Sequence, residues 1–178
     1  TIVWTGYAND ISQCKQEESV LNESETKFRS FVENANDIIY SLSLDGTLNY
    51  VSPNWTEILG HKREAVIGKH FETFVHPDDI SACCSFLQKV KSSKEKLSGI
   101  EYRIKHLKGH WCWHRSNAAP LMDQSGEVYS YTAIARDITE HKLMMQRMSH
   151  MAHHDTLTGL PNRASFTEHL NQAIILSQ

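Results

Sequence analysis

Apolar and polar positions along the chain alternate in a way that predicts a two-sided sheet with helices between its strands. Two runs, DIIYSLS at 37–43 and TLNYVS at 47–52, have strand composition and are joined by Leu44-Asp45-Gly46. An Asp-Gly pair between β-rich runs predicts a hairpin. PNWTEILG and KREAVIG are short helical pieces, closed by Gly60 and Gly68. HPDDISACCSFLQKVKSS, 76–93, opens with Pro77 and two acids, as a helix N-terminus should. Three β-like runs follow, SGIEYRIKH, HWCWHRSNAAPLM and EVYSYTAIARD, with turns at Lys108-Gly109 and Ser125-Gly126. The predicted order is two strands, small helices, one longer helix, then three strands.

The flanks of this unit carry a repeat. ANDISQCK at 8–15 and ARDITEHK at 135–142 align at a shift of 127 residues, Asp10 facing Asp137 and Ile11 facing Ile138. Asp10 with Gln13, and Asp137 with Glu140, fit a capping-box variant. Each copy therefore reads as a device that turns a final strand into a helix leaving the domain. TIVWTGYAND before the first copy has strand composition, and a Glu-rich helix is predicted over 11–23. A further helix through ESETKFRSFVENA, capped by Asn22, puts Phe28, Phe31 and Val32 on one face. In the second exit helix Ile138, His141, Met145, Met148 and Ala152 step by three and four, as do Ile11, Cys14, Glu18 and Leu21 in the first. That is coiled-coil spacing. Ile138, Met145, Met148 and Ala152 are the expected dimer seam; a lone amphipathic helix on its own domain is the alternative.

Composition narrows the class. Hydrophobic residues make up 40% of 178, enough for a core, and a net charge of −3 gives no electrostatic case for nucleic acid or an anionic membrane. No apolar run approaches the ~18 residues a membrane span needs, and no signal peptide opens the chain, so a cytoplasmic location inside a longer polypeptide is expected. Cys14, Cys83, Cys84 and Cys112 form no C-x-x-C pair and are expected as reduced thiols.

The predicted order of elements, together with DGTLNYVSPNWTEILG, VIGKHF, VHPDD, EYRIKHLKGHWCWHRSNAAPLMDQSGEV and ARDIT, resembles a PAS domain over residues 24–138. The resemblance implies an α+β fold: a five-stranded antiparallel sheet with short helices on one face, flanked by N- and C-terminal signalling helices, often around a small-molecule pocket. Residues 1–23 then read as the end of an upstream PAS domain plus a linker helix, and 139–154 as a second linker helix. HDTLTGLPNRASF is similar to the opening of GGDEF-type diguanylate cyclase domains, with Asp155, Leu157, Thr158, Gly159, Leu160, Asn162 and Arg163 matching. This makes 155–178 the truncated start of such a domain. The family's catalytic loop and acidic metal ligands are absent from the sequence, so magnesium and GTP belong outside it and these residues are expected not to make cyclic di-GMP.

Other chemistries are weighed by position. CCSFLQ at 83–88 is superficially like the cysteine motif of flavin photosensors, but the family's motif falls where this chain has GKHFETFV, and Phe71 stands at the cysteine position. A haem-binding PAS domain would offer a histidine from the long helix, and 79–92 contain none; His76 is assigned to turn formation and capping. Flavin and haem are thus disfavoured, with His106, His110 and His114 read as strand and turn histidines that face solvent or are hydrogen-bonded. His141, His150, His153 and His154 lack the H-E-x-x-H pattern and are read as a polar linker face. MSHMAHHD lacks the acid, Arg, Thr and Pro of a phosphoacceptor helix. Trp111 and Trp113 share one side of a strand, as a ligand platform or as sheet packing. Tyr40, Phe86, Tyr102 and Trp113 are the candidate pocket residues. Glu101 and Arg103 flank Tyr102 as a cross-strand ionic pair or a solvated face.

The sequence reading is therefore a homodimeric sensory PAS module. It would act in cis between an upstream PAS domain and a downstream diguanylate cyclase, with a possible small-molecule ligand and no nucleic-acid or membrane partner. Asp137, Thr139 and Glu140 would relay the signal from sheet to helix. The alternative is a ligand-free spacer that only sets dimer geometry.

Overall fold

A computed structural model of the chain describes residues 35–153 continuously, with the separate positions 15–16, 19–20, 23–24, 26–27, 30–32, 160 and 162. The expected strand tail at 1–10 and nearly all of the cyclase-like segment at 155–178 lie outside the described residues.

The predicted hairpin forms from β1 (Ile38–Ser43) and β2 (Leu48–Val51). Its turn requires glycine: Gly46 has φ of 92°, and a Cβ there would stand 2.6 Å from His70 Nε2 and 2.9 Å from the Phe71 ring. Helix α1 (Asn54–Leu59) ends on Gly60, left-handed at φ 79°, whose N–H donates to the Thr56 carbonyl. KREAVIG makes only a 3-10 turn at Arg63–Ala65, and a second 3-10 turn, Phe71–Thr73, falls in a segment whose pattern predicts nothing regular. Helix α2 (Pro77–Ser93) starts as its sequence demands, with Pro77 in the first turn and the His76 ring accepting from the Asp78 N–H at 3.2 Å. Then come β3 (Leu97–Lys105), β4 (Trp111–Met122), β5 (Val128–Asp137) and helix α3 (Thr139–His153).

The sheet is antiparallel throughout, in the order β2-β1-β5-β4-β3. The last strand is therefore the middle one, clasped between β1 and β4, and its C-terminal end delivers the chain into α3. One sheet face is covered by the intervening helices. Leu42, Leu48, Val51, Trp55, Leu59, Val66, Val75, Val90 and Ile104 are buried between them. This is the α+β architecture expected from the sequence, with its five strands and its helices on one face.

The described positions between 15 and 32 are helical, with a Glu23–Lys27 ion pair one turn apart. Val32 is buried, but Phe31 is 75% exposed, so the apolar face expected of that segment is not wholly inside. At the other end Asn162 donates from its backbone N–H to the His153 carbonyl (2.9 Å) and from its side chain to the Ala152 carbonyl (2.7 Å), closing the last turn of α3.

The long helix is pinned to the sheet edge by one carboxylate. Asp79 Oδ2 accepts from the Arg103 backbone N–H (2.8 Å) and Nε (2.9 Å), and Oδ1 accepts from Nη2 (2.8 Å). These Arg103 bonds hold the Asp79 carboxyl below its ordinary range. Asp78, one residue earlier, makes a single longer contact to the same guanidinium at 3.3 Å and is largely exposed. Charge-assisted hydrogen bonds to partly buried groups contribute about 1.5–3 kcal/mol, exposed pairs well under 1. Asp79→Ala is therefore expected to lower unfolding stability by about 2 kcal/mol, and Asp78→Ala by less than about 0.5 kcal/mol, in urea denaturation of the chain.

Candidate functional site

Between the inner face of the sheet and α2 lies a partly open, largely apolar cavity, walled among others by Leu42, Trp55, Phe71, Cys83, Phe86 and Tyr102. Its volume of about 40 Å³ holds a few waters or an organic group of a few heavy atoms.

One corner of the cavity is polar. Tyr40 and Tyr102 arrive from β1 and β3, and Ser116 from β4, because the two-residue alternation turns all three inward. Ser116 Oγ and the Tyr102 hydroxyl are 2.9 Å apart, the Tyr40 hydroxyl donates to Ser116 at 3.3 Å, and the two phenols are 3.4 Å apart. Burial pushes both phenols up, Tyr102 well above its ordinary value, so all three hydroxyls are neutral donors and acceptors. Trp55 faces this group across the cavity wall, edge-on to Tyr40 with ring centroids 6.4 Å apart. Its indole N–H is buried and has no acceptor among the described residues. A buried donor without a partner costs about 1–3 kcal/mol. Burial first, then Asp79 and Cys84, push the Cys83 thiol up to about 12, so it is a neutral wall residue and a poor nucleophile.

Tyr40, Phe86 and Tyr102 thus line the cavity, but Trp113 does not. Along β4 the inward residues are Cys112, His114, Ser116 and Ala118, and Trp113 falls on the opposite face. There it sits under two cations: Arg103 at 5.5 Å and Lys142 of α3 at 5.0 Å from the ring centroid. Lys142 also pairs with Glu101 Oε2 at 2.6 Å, and Glu101 in turn takes Arg115, its cross-strand neighbour, at 2.6 Å. Lys142 and Arg115 hold the Glu101 carboxyl below its ordinary range. Glu101 and Arg103 do not pair with each other; Arg103 turns to Asp79 over the sheet edge. Trp113 is a docking post for the exit helix, and the pocket assignment is corrected accordingly.

The junction of β5 and α3 is tied at several points. The Ile138 N–H donates to the Trp113 carbonyl (2.8 Å), and the Trp113 N–H donates to Thr139 Oγ1 (2.8 Å). Asp137 Oδ1 accepts from the Thr139 N–H (2.7 Å), an Asx-type turn that covers one of the helix's free donors. Glu140 is exposed and, among the described residues, makes no bond back to the turn, so the reciprocal half of the expected capping box is missing. Ile138 is only 7% exposed, buried in its own domain, and so drops out of the expected dimer seam. Met145 (55% exposed), Met148 (58%) and Ala152 remain on the open surface of α3.

His114 is the residue the sequence reading missed. Expected at the surface or hydrogen-bonded, it is fully buried and neither ring nitrogen has a partner among the described residues. Its position between Cys112 and Ser116 in an alternating strand was the available signal.

Residues 48–135 match the family model for the PAS fold, and the chain carries a PAS domain. It is similar to the uncharacterized protein y4lL of Sinorhizobium fredii, 33% identical over 93% of this chain and 21% of that protein. It is also similar to the probable diguanylate cyclase DgcE of Escherichia coli, 23% identical over 93% of this chain and 15% of that protein. Among solved structures, the PAS domain of a Colwellia psychrerythraea protein superposes with a TM-score of 0.59 at 23% identity, covering 68% of this chain and 98% of that one. The chain thus spans about a fifth or less of these curated relatives. A PAS domain is the class of module that this fold defines. No described helix is long and apolar enough to cross a membrane.

Burial drags the His114 imidazole down from 6.5 to about 4, with the Asp137 carboxylate pulling the other way. Between those values the unfolded chain binds a proton the folded chain does not. Stability is therefore full above about pH 6.5 and falls as pH drops toward about 4, by about 3 kcal/mol in total from this group. Urea midpoints measured across that range should show the loss, and His114→Phe should remove its share of it.

Proposed function

We propose that this PAS domain is the sensory and dimerisation module of a bacterial signalling protein, and that it reads a small neutral molecule carrying a hydrogen-bond acceptor. The observation that carries the reading is the polar corner of an otherwise apolar cavity: three neutral hydroxyls, on a wall that includes Trp55, whose buried indole N–H has no acceptor among the described residues. A carbonyl or ether oxygen entering there would take the Trp55 proton while its alkyl part rests on Leu42 and Phe86. No charged side chain lines the wall, so an ionic ligand would lose its hydration without compensation.

The output in this reading is α3. Its exposed Met145, Met148 and Ala152 meet the same residues of a second copy, and the pair of helices sets the relation of two downstream domains. HDTLTGLPNRASF is the start of a GGDEF-type diguanylate cyclase, so the regulated reaction is synthesis of cyclic di-GMP from GTP in the cytoplasm. The similarity to DgcE supports this assignment. Asp137 and Thr139 transmit, since they join the strand that borders the cavity to the helix that leaves it.

The Trp55 indole N–H resonance of the isotope-labelled chain tests the ligand class. Titration with 2-butanone and with a C4 alkane of similar size is expected to move that signal with the ketone alone. Trp55→Phe, followed through the Tyr102 ring signals, should weaken ketone binding about tenfold, the loss of roughly one hydrogen bond. An indole signal indifferent to every acceptor-bearing probe would leave the spacer reading in its place. Met148→Glu is expected to shift the chain from dimer toward monomer in sedimentation equilibrium.

A further inference from the structure

We propose that His114 is the positioning residue that couples the cavity to the exit helix, by competing with the Thr139 N–H for the Asp137 carboxylate. The proposal rests on the reading of α3 as output and adds the step by which the sheet addresses it.

Register places the residue. Directly across from His114 stands Tyr102 on β3, and directly across on the other side stands Asp137 on β5. The Tyr102 and His114 ring centroids are 6.1 Å apart. Tyr102 belongs to the polar corner of the cavity through Ser116 (2.9 Å), and Asp137 belongs to α3 through Thr139 (2.7 Å). His114 is thus the one side chain of β4 flanked by a cavity residue and by the carboxylate that holds the first turn of the helix.

Its state is unusual. The imidazole is fully buried, and neither nitrogen is bonded among the described residues. An apolar side chain would fill the same place without unpaired polar atoms, so imidazole there is an expense that a second arrangement can recover. Both neighbours that could recover it are engaged: the Tyr102 hydroxyl with Ser116, the Asp137 carboxylate with Thr139. The titratable groups around the ring are Tyr102 from β3, Cys112 from its own strand and Asp137 from β5. Burial raises the first two, and Asp137 supplies the charge that acts on the ring.

Two arrangements follow. In the one observed, the imidazole is neutral and unbonded, and Asp137 holds Thr139. In the other, Asp137 turns to His114, which takes one proton from water; the carboxylate stays ionised, and the Thr139 N–H is released to solvent. A molecule that draws the Tyr102 hydroxyl away from Ser116 moves the ring beside His114 and biases the same choice. The helix start is therefore either tied or freed, which suits an element with two packings better than one that bends.

The test needs no ligand, so its failure leaves the cavity reading untouched, and failure of the ketone titration leaves this one untouched. In the 178-residue chain labelled with ¹⁵N, the His114 ring nitrogens and the Thr139 amide are followed from pH 8 to pH 3. The Thr139 amide is expected to shift with the same midpoint as the His114 ring. His114→Phe should remove the part of the Thr139 shift that shares that midpoint. Asp137→Asn should lower the His114 midpoint by about 1 unit or more, as removal of a nearby opposite charge does. Should His114→Phe not fold, the wild-type midpoints decide alone. A Thr139 amide that does not follow the ring in the wild-type chain, or shifts identically in His114→Phe, overturns the proposal.

Discussion

A strand turns successive side chains to opposite faces, and in β4 that constraint organises both halves of the molecule. Ser116, His114 and Cys112 go inward to the cavity and core; Trp113 and Arg115 go outward. The outward pair supports α3 through Lys142 and Glu101, while on the inner side Ser116 lines the cavity and His114 and Cys112 are buried beyond it. The backbone of Trp113 is bonded in both directions to the residues that begin the helix. One rigid strand is thus the wall of a cavity and the seat of a lever. The two faces are joined through the strand's own backbone, with no loop between them.

Much of the fold was legible because its signals are local. Asp45-Gly46 gave the hairpin, since only glycine can hold φ of 92° against His70 and Phe71. Pro77, Asp78 and Asp79 gave the start of the long helix, and Gly60 the end of a short one. Asp137 and Thr139 marked the strand-to-helix junction. The strand order was not written in any local pattern. β5 lies between β1 and β4 because its pairing with β1 spans about ninety residues, and the family resemblance supplied five antiparallel strands but not their order.

The site was legible in part for the same reason. Tyr40, Phe86 and Tyr102 are aromatic residues on amphipathic elements, and such residues turn inward. Trp113 obeys the same hydrophobic expectation and turns outward, because Arg103 and Lys142 offer its ring faces a partner there that no sequence spacing announces. Ile138 has the heptad position of a seam residue but lies on the domain side of the junction, where its N–H is committed to Trp113. His114 was misplaced by a rule of composition, that histidine seeks water or a partner. The pleat of β4 outranks that rule, since moving His114 outward would carry Cys112 and Ser116 with it.

That hierarchy explains where this fold keeps its polar expense. Arg103 and Asp79, Arg136 and Asp37, Glu101 and Lys142 all lie at edges or on the outer face, paired and reachable by water. Inside, Ser52, Asn54 and Ser130 are each satisfied by nearby backbone, while Tyr40, Ser116 and Tyr102, then His114, form a connected set of neighbours. The set runs from the cavity to the end of β5 and stops at Asp137. A core selected for stability alone would omit an unpaired member such as His114, because it costs free energy. A line of such groups ending at the carboxylate that caps a departing helix is what a conformational relay requires, because only polar groups can exchange one discrete partner for another.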